Sequence, residues 1–168
     1  SVTCALVARS LAKLCNYPDP EEAYLAGLLH DIGSLLLYAK YPAESEEIIK
    51  KSAGDEEIHY RIEKEMLGFT HADIGAELLA QWGLPDALTK TIRKHHEPCV
   101  EEDVVFDACI IHLANALSNC YILGTYLEKL PEKTNEPDSC IWNYISLSEE
   151  QKENIYDGLD EELADAIS

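Results

Sequence analysis

The sequence predicts an all-α protein of about eight or nine helices, and three observations carry that reading. Apolar residues recur at helical spacing through most of the 168 residues. No alternating strand pattern of useful length interrupts them, and turn segments such as Asn16 to Pro20 and Tyr41-Pro42 mark where one periodic stretch ends.

The elements follow in order. Val2, Ala5, Leu6, Ala8, Leu11, Ala12, Leu14 and Cys15 form a first helical stripe, ended by the turn residues Asn16 to Pro20. Tyr24 to Tyr38 (YLAGLLHDIGSLLLY) reads as one helix, with Glu21 and Glu22 in its acidic first turn. It is apolar on most sides, as in a helix buried in a bundle, and it carries two adjacent polar groups, His30 and Asp31. A buried carboxylate must be paired, hydrogen-bonded or metal-bound to remain charged. Tyr41-Pro42 breaks the pattern, and Glu44 to Lys51 forms a short amphipathic helix stopped near Gly54.

Asp55 is placed to cap the next helix, with Ile58, Ile62, Glu65 and Met66 along its stripe and Gly68 as its stop. Thr70 to Asp73 has capping-box spacing and opens HADIGAELLAQW, closed by Gly83. Trp82, Leu84 and Pro85 read as a packing corner, with Pro85 at the first position of a helix over Asp86 to His96. A longer apolar helix is expected from Asp103 to about Tyr121. Residues 130–139, with two prolines, read as a flexible loop, and acidic amphipathic helices follow, capped by Ser148 and broken at Gly158.

Composition narrows the function classes. Thirteen basic against 32 acidic residues give a net charge of -19, which disfavours nucleic acid and anionic membrane surfaces as partners. Six cysteines without a C-x-x-C pair, several at apolar helix positions, fit reduced thiols in a cytoplasmic protein. No apolar run reaches the ~20 residues needed to cross a bilayer, and no leader opens the chain. A start inside a helical pattern without methionine suggests an excerpt of a longer protein, read as a single domain over 1–168.

The histidines matter as a set. Taken singly, each helix histidine is a core or surface residue. Taken together with Asp31, the residues His30, His71, His95, His96 and His112 could supply one site, whereas His59 sits among charges and is excluded. His71 lies in the first turn of its helix and His95-His96 in the last turn of theirs, where side chains from separate helices can converge on a buried pair. Imidazole with carboxylate suits iron, manganese, zinc or nickel better than calcium or magnesium. Lys90, Arg93 and Lys94 make a small basic stripe, read as a solvated face.

The motif His30-Asp31-Ile32-Gly33 resembles the HD-domain superfamily of metal-dependent phosphohydrolases. AGLLHDIGSLLL, then EKEMLGFTHADIGAELLAQWGLP, IRKHHEP and HLANALS in sequence, is similar to the HDOD family, a signalling-associated branch of that superfamily. The likeness covers most of Ser1 to Ser118, with a weaker match at IWNYISLSEEQ. It implies an HD-domain-like helical bundle, the C-terminal portion of a longer HDOD region. The resemblance implies a further helical region ahead of this part, so uncovered apolar faces are expected here, with self-association or marginal stability as the consequence.

In related HD enzymes that hydrolyse cyclic di-GMP, a two-metal centre uses an early His, the His-Asp pair, a later His, a His-His pair and a final Asp. By that resemblance His30, Asp31, His71, His95 and His96 are retained. The early His would fall just before Ser1, the final Asp aligns with Asn115, and EPCVEEDVVF carries no glycine-tyrosine-proline motif. The resemblance assigns Asp31, His71, His95 and His96 to one metal, so at most one transition metal is expected, and a two-metal hydrolytic site cannot assemble. The competing reading is an ion-free scaffold in which His30 and Asp31 pin three helices together. The expected function is a regulatory, non-catalytic module in bacterial signal transduction that meets a protein partner or small ligand. The alternative is a metal-dependent phosphohydrolase acting on a nucleotide or cyclic dinucleotide, in which His30 and Asp31 would be catalytic.

Overall fold

A computed structural model describes residues 1–99, 105–127, 141–148, 150–151 and 159–167, and these contain helices and no strand. Residues 103–104, the predicted loop 130–139 and Gly158 lie outside the described residues. The chain divides into two compact units, Ser1–Leu28 with Pro98–Ser168, and Leu29–Glu97.

In the first unit, α1 (Val2–Leu14) packs against α8 (Phe106–Leu127) and α10 (Leu159–Ile167), and α8 also meets α9 (Ile141–Tyr144). The stripe read from the sequence is the buried one: Ala5, Leu6, Ala8, Leu11 and Ala12 are at most 3% exposed. α2 (Pro20–Leu29) comes very close to α1 at Gly27, where a Cβ would lie 2.8 Å from the Ala5 Cα. The Arg9 guanidinium lies 5.1 Å from the centroid of the Tyr24 ring and pairs with Glu162 at 3.0 Å. α8 begins at Phe106 and runs past the expected end near Tyr121. Ser148 and Gln151 exchange backbone and side-chain hydrogen bonds of 2.8 and 3.1 Å, the capping role expected of Ser148. Cys4, Cys15, Cys109 and Cys120 are free thiols, whereas Cys99 is disulfide-bonded, so the expectation of uniformly reduced cysteines fails there.

The second unit holds α3 (Ile32–Lys40), α4 (Pro42–Ser52), α5 (Glu56–Leu67), α6 (His71–Gln81) and α7 (Asp86–Lys94). α6 packs on both α3 and α7, and α4 packs on α5 and α3. The predicted single helix over Tyr24 to Tyr38 is two. α2 ends at Leu29, His30 and Asp31 form a turn, and α3 begins at Ile32 with Asp31 as its N-cap residue. Apolar residues on both sides of the pair hide this break, because two short apolar helices have the same composition as one long one. Nor is the run buried on most sides, since Leu25, Leu35 and Tyr38 are exposed.

Caps predicted from local chemistry are present. The Asp55 carboxylate accepts from the Ile58 N–H at 2.9 Å, and Gly68 ends α5 in the left-handed region at φ 82°. Thr70 Oγ1 accepts from the Asp73 N–H at 3.3 Å while Asp73 Oδ2 accepts from the Thr70 N–H at 3.0 Å, a closed capping box. Thr70→Ala is therefore expected to cost about 1 kcal/mol, read from the urea midpoint of unfolding. Pro85 stands just before α7 rather than at its first position, and α7 stops at Lys94, so His95 and His96 follow the helix instead of closing it.

Candidate metal centre

The second unit gathers five imidazoles, those of His30, His59, His71, His95 and His96, around the carboxylates of Asp31 and Glu63. Asp31 occupies the N-cap position of α3 but makes no side-chain cap bond. Its Oδ2 lies 3.0 Å from His30 Nε2 and its Oδ1 3.5 Å from His71 Nε2. His30 is 1% exposed, whereas the Asp31 side chain is 39% exposed and forms the solvent edge of the group. Burial works to raise the Asp31 carboxyl, but the His30 ring, followed by His95 and His71, holds it well below the usual carboxylate range. Asp31 is thus an anion at neutral pH.

His95 is buried, and its Nδ1 lies 2.6 Å from the Ile92 carbonyl oxygen. A carbonyl only accepts, so Nδ1 carries the proton and Nε2 presents a lone pair. Burial, with His30 and His71 nearby, pushes the ring down to about 3, so it is neutral at physiological pH. His96 stacks on Tyr60 with centroids 4.5 Å apart, and its Nε2 is 3.0 Å from His71 Nε2. The Tyr60 hydroxyl donates to Glu97 at 3.2 Å, and its pKa is raised by burial and by the Glu97 charge.

His71 opens α6. Its Nδ1 and its backbone N–H meet the same oxygen of Glu63, Oε2, at 2.7 and 2.8 Å. Glu63 is 1% exposed, and its Oε1 is 3.2 Å from His59 Nε2. Burial works to raise this carboxyl, but hydrogen bonds from His59 and His71 bring it down to about 2. Neither Glu63 nor a role for His59 is evident from sequence reading, which places Glu65 rather than Glu63 on the buried stripe. The available signal is the i,i+4 spacing of His59 and Glu63 on one helix face.

Among the described residues, two sets of side chains bring one ligand atom apiece to within 4.8 Å of one another: His71, His95 and His96, and separately His30, Asp31 and His95. The structure therefore brings together five of the sequence-predicted residues. Asn115 and His112 belong to α8 of the other unit, where the Asn115 backbone carbonyl oxygen accepts from Ser118 Oγ at 2.9 Å. Arg93 of the basic stripe pairs with Asp73 at 3.4 Å.

The HDOD domain family's sequence model matches residues 1–98, more than half of the chain. The chain belongs to the HDOD family. This HDOD chain is similar over 98% of its length to a candidate phosphohydrolase from Shewanella amazonensis SB2B, with TM-score 0.70 and 28% identity, covering 56% of that chain. It matches a candidate signal transduction protein from Marinobacter aquaeolei VT8 with TM-score 0.71 and 26% identity, over 98% of its own length and 37% of the other. Ribonuclease Y of Aquifex aeolicus (strain VF5) is 34% identical over 101 residues, which are 60% of this HDOD chain and 13% of that enzyme. The HDOD chain thus spans about half or less of these solved relatives, and its match covers a small fraction of the curated one.

Proposed function

We propose that this HDOD chain is a regulatory, non-catalytic module of bacterial signal transduction that holds a single transition-metal ion and acts through a protein partner. His71, His95 and His96 would hold the ion, with Asp31 beside them and His30 supporting Asp31. The observation that carries the reading is that both candidate ligand sets need His95. One imidazole nitrogen binds one ion, and the other nitrogen of His95 is committed to the Ile92 carbonyl. The two sets therefore compete for one ligand and cannot both be filled.

The donor chemistry fits. Two imidazole nitrogens at about 2.1 Å from one tetrahedral ion stand about 3.4 Å apart, and His71 Nε2 and His96 Nε2 are already 3.0 Å apart. The nitrogen-rich set with one carboxylate suits zinc, iron, manganese or nickel. When bound, such an ion supplies Lewis acidity. In-line phosphodiester hydrolysis by the two-metal route requires a pair of ions flanking the attacking and leaving oxygens, and the resemblance to the hydrolytic branch fails at Asn115 for the second.

The phosphohydrolase reading is kept as the alternative because the Shewanella relative is described as a candidate of that class. An RNA substrate, as the Aquifex relative's name would suggest, is disfavoured by the net charge of -19. No helix among the described residues is long and apolar enough to cross a membrane, and the proposal places the module in the cytoplasm. The test is hydrolysis of cyclic di-GMP and of bis(p-nitrophenyl) phosphate with manganese, and with ferrous ion under anaerobic conditions. Turnover indistinguishable from the metal-only blank is expected. Turnover above it that His71→Ala abolishes would favour the enzyme.

A further inference from the structure

Glu63 is a buried carboxylate that belongs to neither candidate ligand set. It stands eight residues before His71, on α5, and both of its oxygens are occupied. Oε2 receives the His71 ring and the His71 backbone N–H, while Oε1 is met by His59 Nε2. His59 is itself held from the far side, with its Nδ1 3.3 Å from Ser52 Oγ. The carboxylate cannot rotate without losing one of these partners. Because an ionised carboxylate only accepts, the His71 proton must sit on Nδ1, which leaves Nε2 as a lone pair. That Nε2 is the atom 3.0 Å from His96 Nε2 and 3.5 Å from Asp31 Oδ1.

We propose that Glu63 is a positioning residue for the candidate metal centre: it fixes the tautomer and ring orientation of His71 so that Nε2 faces His95 and His96, and thereby sets the affinity for the ion. The inference rests on the reading that the cluster holds an ion, and it adds a residue that the His-Asp motif does not contain. A carboxylate hydrogen-bonded to a ligating imidazole orients the ring and raises its basicity. His59 extends the arrangement by one step, since it holds the other oxygen of the same carboxylate.

The test uses the full chain, stripped of metal, with two variants. Glu63→Gln keeps an acceptor for both His71 donors but removes the charge. Glu63→Met keeps the bulk and removes the acceptor. Zinc affinity is measured by competition with a chromophoric chelator, and the His71 tautomer in the metal-free protein by long-range proton–nitrogen NMR correlations. The expected results are the Nδ1–H tautomer in the wild type and mixed tautomers in Glu63→Met. Zinc affinity should fall about 10-fold in Glu63→Gln and about 100-fold in Glu63→Met. If Glu63 only ties α5 to α6, the variants melt earlier yet keep wild-type affinity and tautomer, and the inference is overturned. Wild-type protein that binds no zinc would overturn the proposed function itself, a different result from unchanged affinity across the series. Should Glu63→Met not fold, wild-type affinity in Glu63→Gln alone overturns the positioning role.

Discussion

Gly33→Ala is expected to destabilise the protein by about 3 kcal/mol or more, because overpacking against backbone has no cheap relaxation. A Cβ at Gly33 would lie 2.0 Å from the His71 carbonyl oxygen and 2.6 Å from the Gly75 nitrogen. Both are main-chain atoms of α6, so the helix has to move as a body, and His71 at its first position moves with it. The variant should therefore lose stability and metal affinity together. Gly75→Ala is the control on the facing helix. Its added carbon meets nothing closer than 3.4 Å, and alanine is better than glycine within a helix by about 1 kcal/mol. Urea unfolding of both variants checks the pair: a large loss for Gly33→Ala and none for Gly75→Ala. Equal effects would mean that the α3–α6 approach is looser than described.

The second large effect is expected at His95. Removing it by His95→Ala takes away the one ligand common to both candidate sets, so zinc affinity should fall by more than about 100-fold, beyond the range typical of outer-shell changes. The same substitution deprives the buried Ile92 carbonyl of its donor, at a cost of about 1–3 kcal/mol in stability. Metal content after zinc loading and desalting, with an unfolding curve on the same sample, separates the two consequences. Retained metal in a folded His95→Ala protein would place the ion elsewhere.

Much of this was legible from residue order, for a local reason. The caps at Asp55, Thr70 and Asp73 and the stop at Gly68 involve neighbours within four residues, and the sequence contains both partners of each bond. Convergence of His71 with His95 and His96 could be read from their places at helix ends, where side chains reach past their own helix. Three things depended on distant partners and were not legible. The break at His30–Asp31 leaves no mark in hydrophobic periodicity, since both flanks are apolar. Glu63 becomes a buried residue only because His59 and His71 satisfy its oxygens, which reverses the usual reading of a glutamate on an amphipathic helix. The division into two units is equally silent, since the boundary after Leu28 falls inside an apolar run rather than in a linker.

The central claim is that His95 cannot serve two ions, so the cluster holds one. Elemental analysis of wild-type chain purified without chelators, then saturated with zinc or manganese and desalted, tests it most directly. One equivalent per chain, lost in Asp31→Asn, is the predicted result. Two equivalents, or a content unaffected by that substitution, would contradict the account.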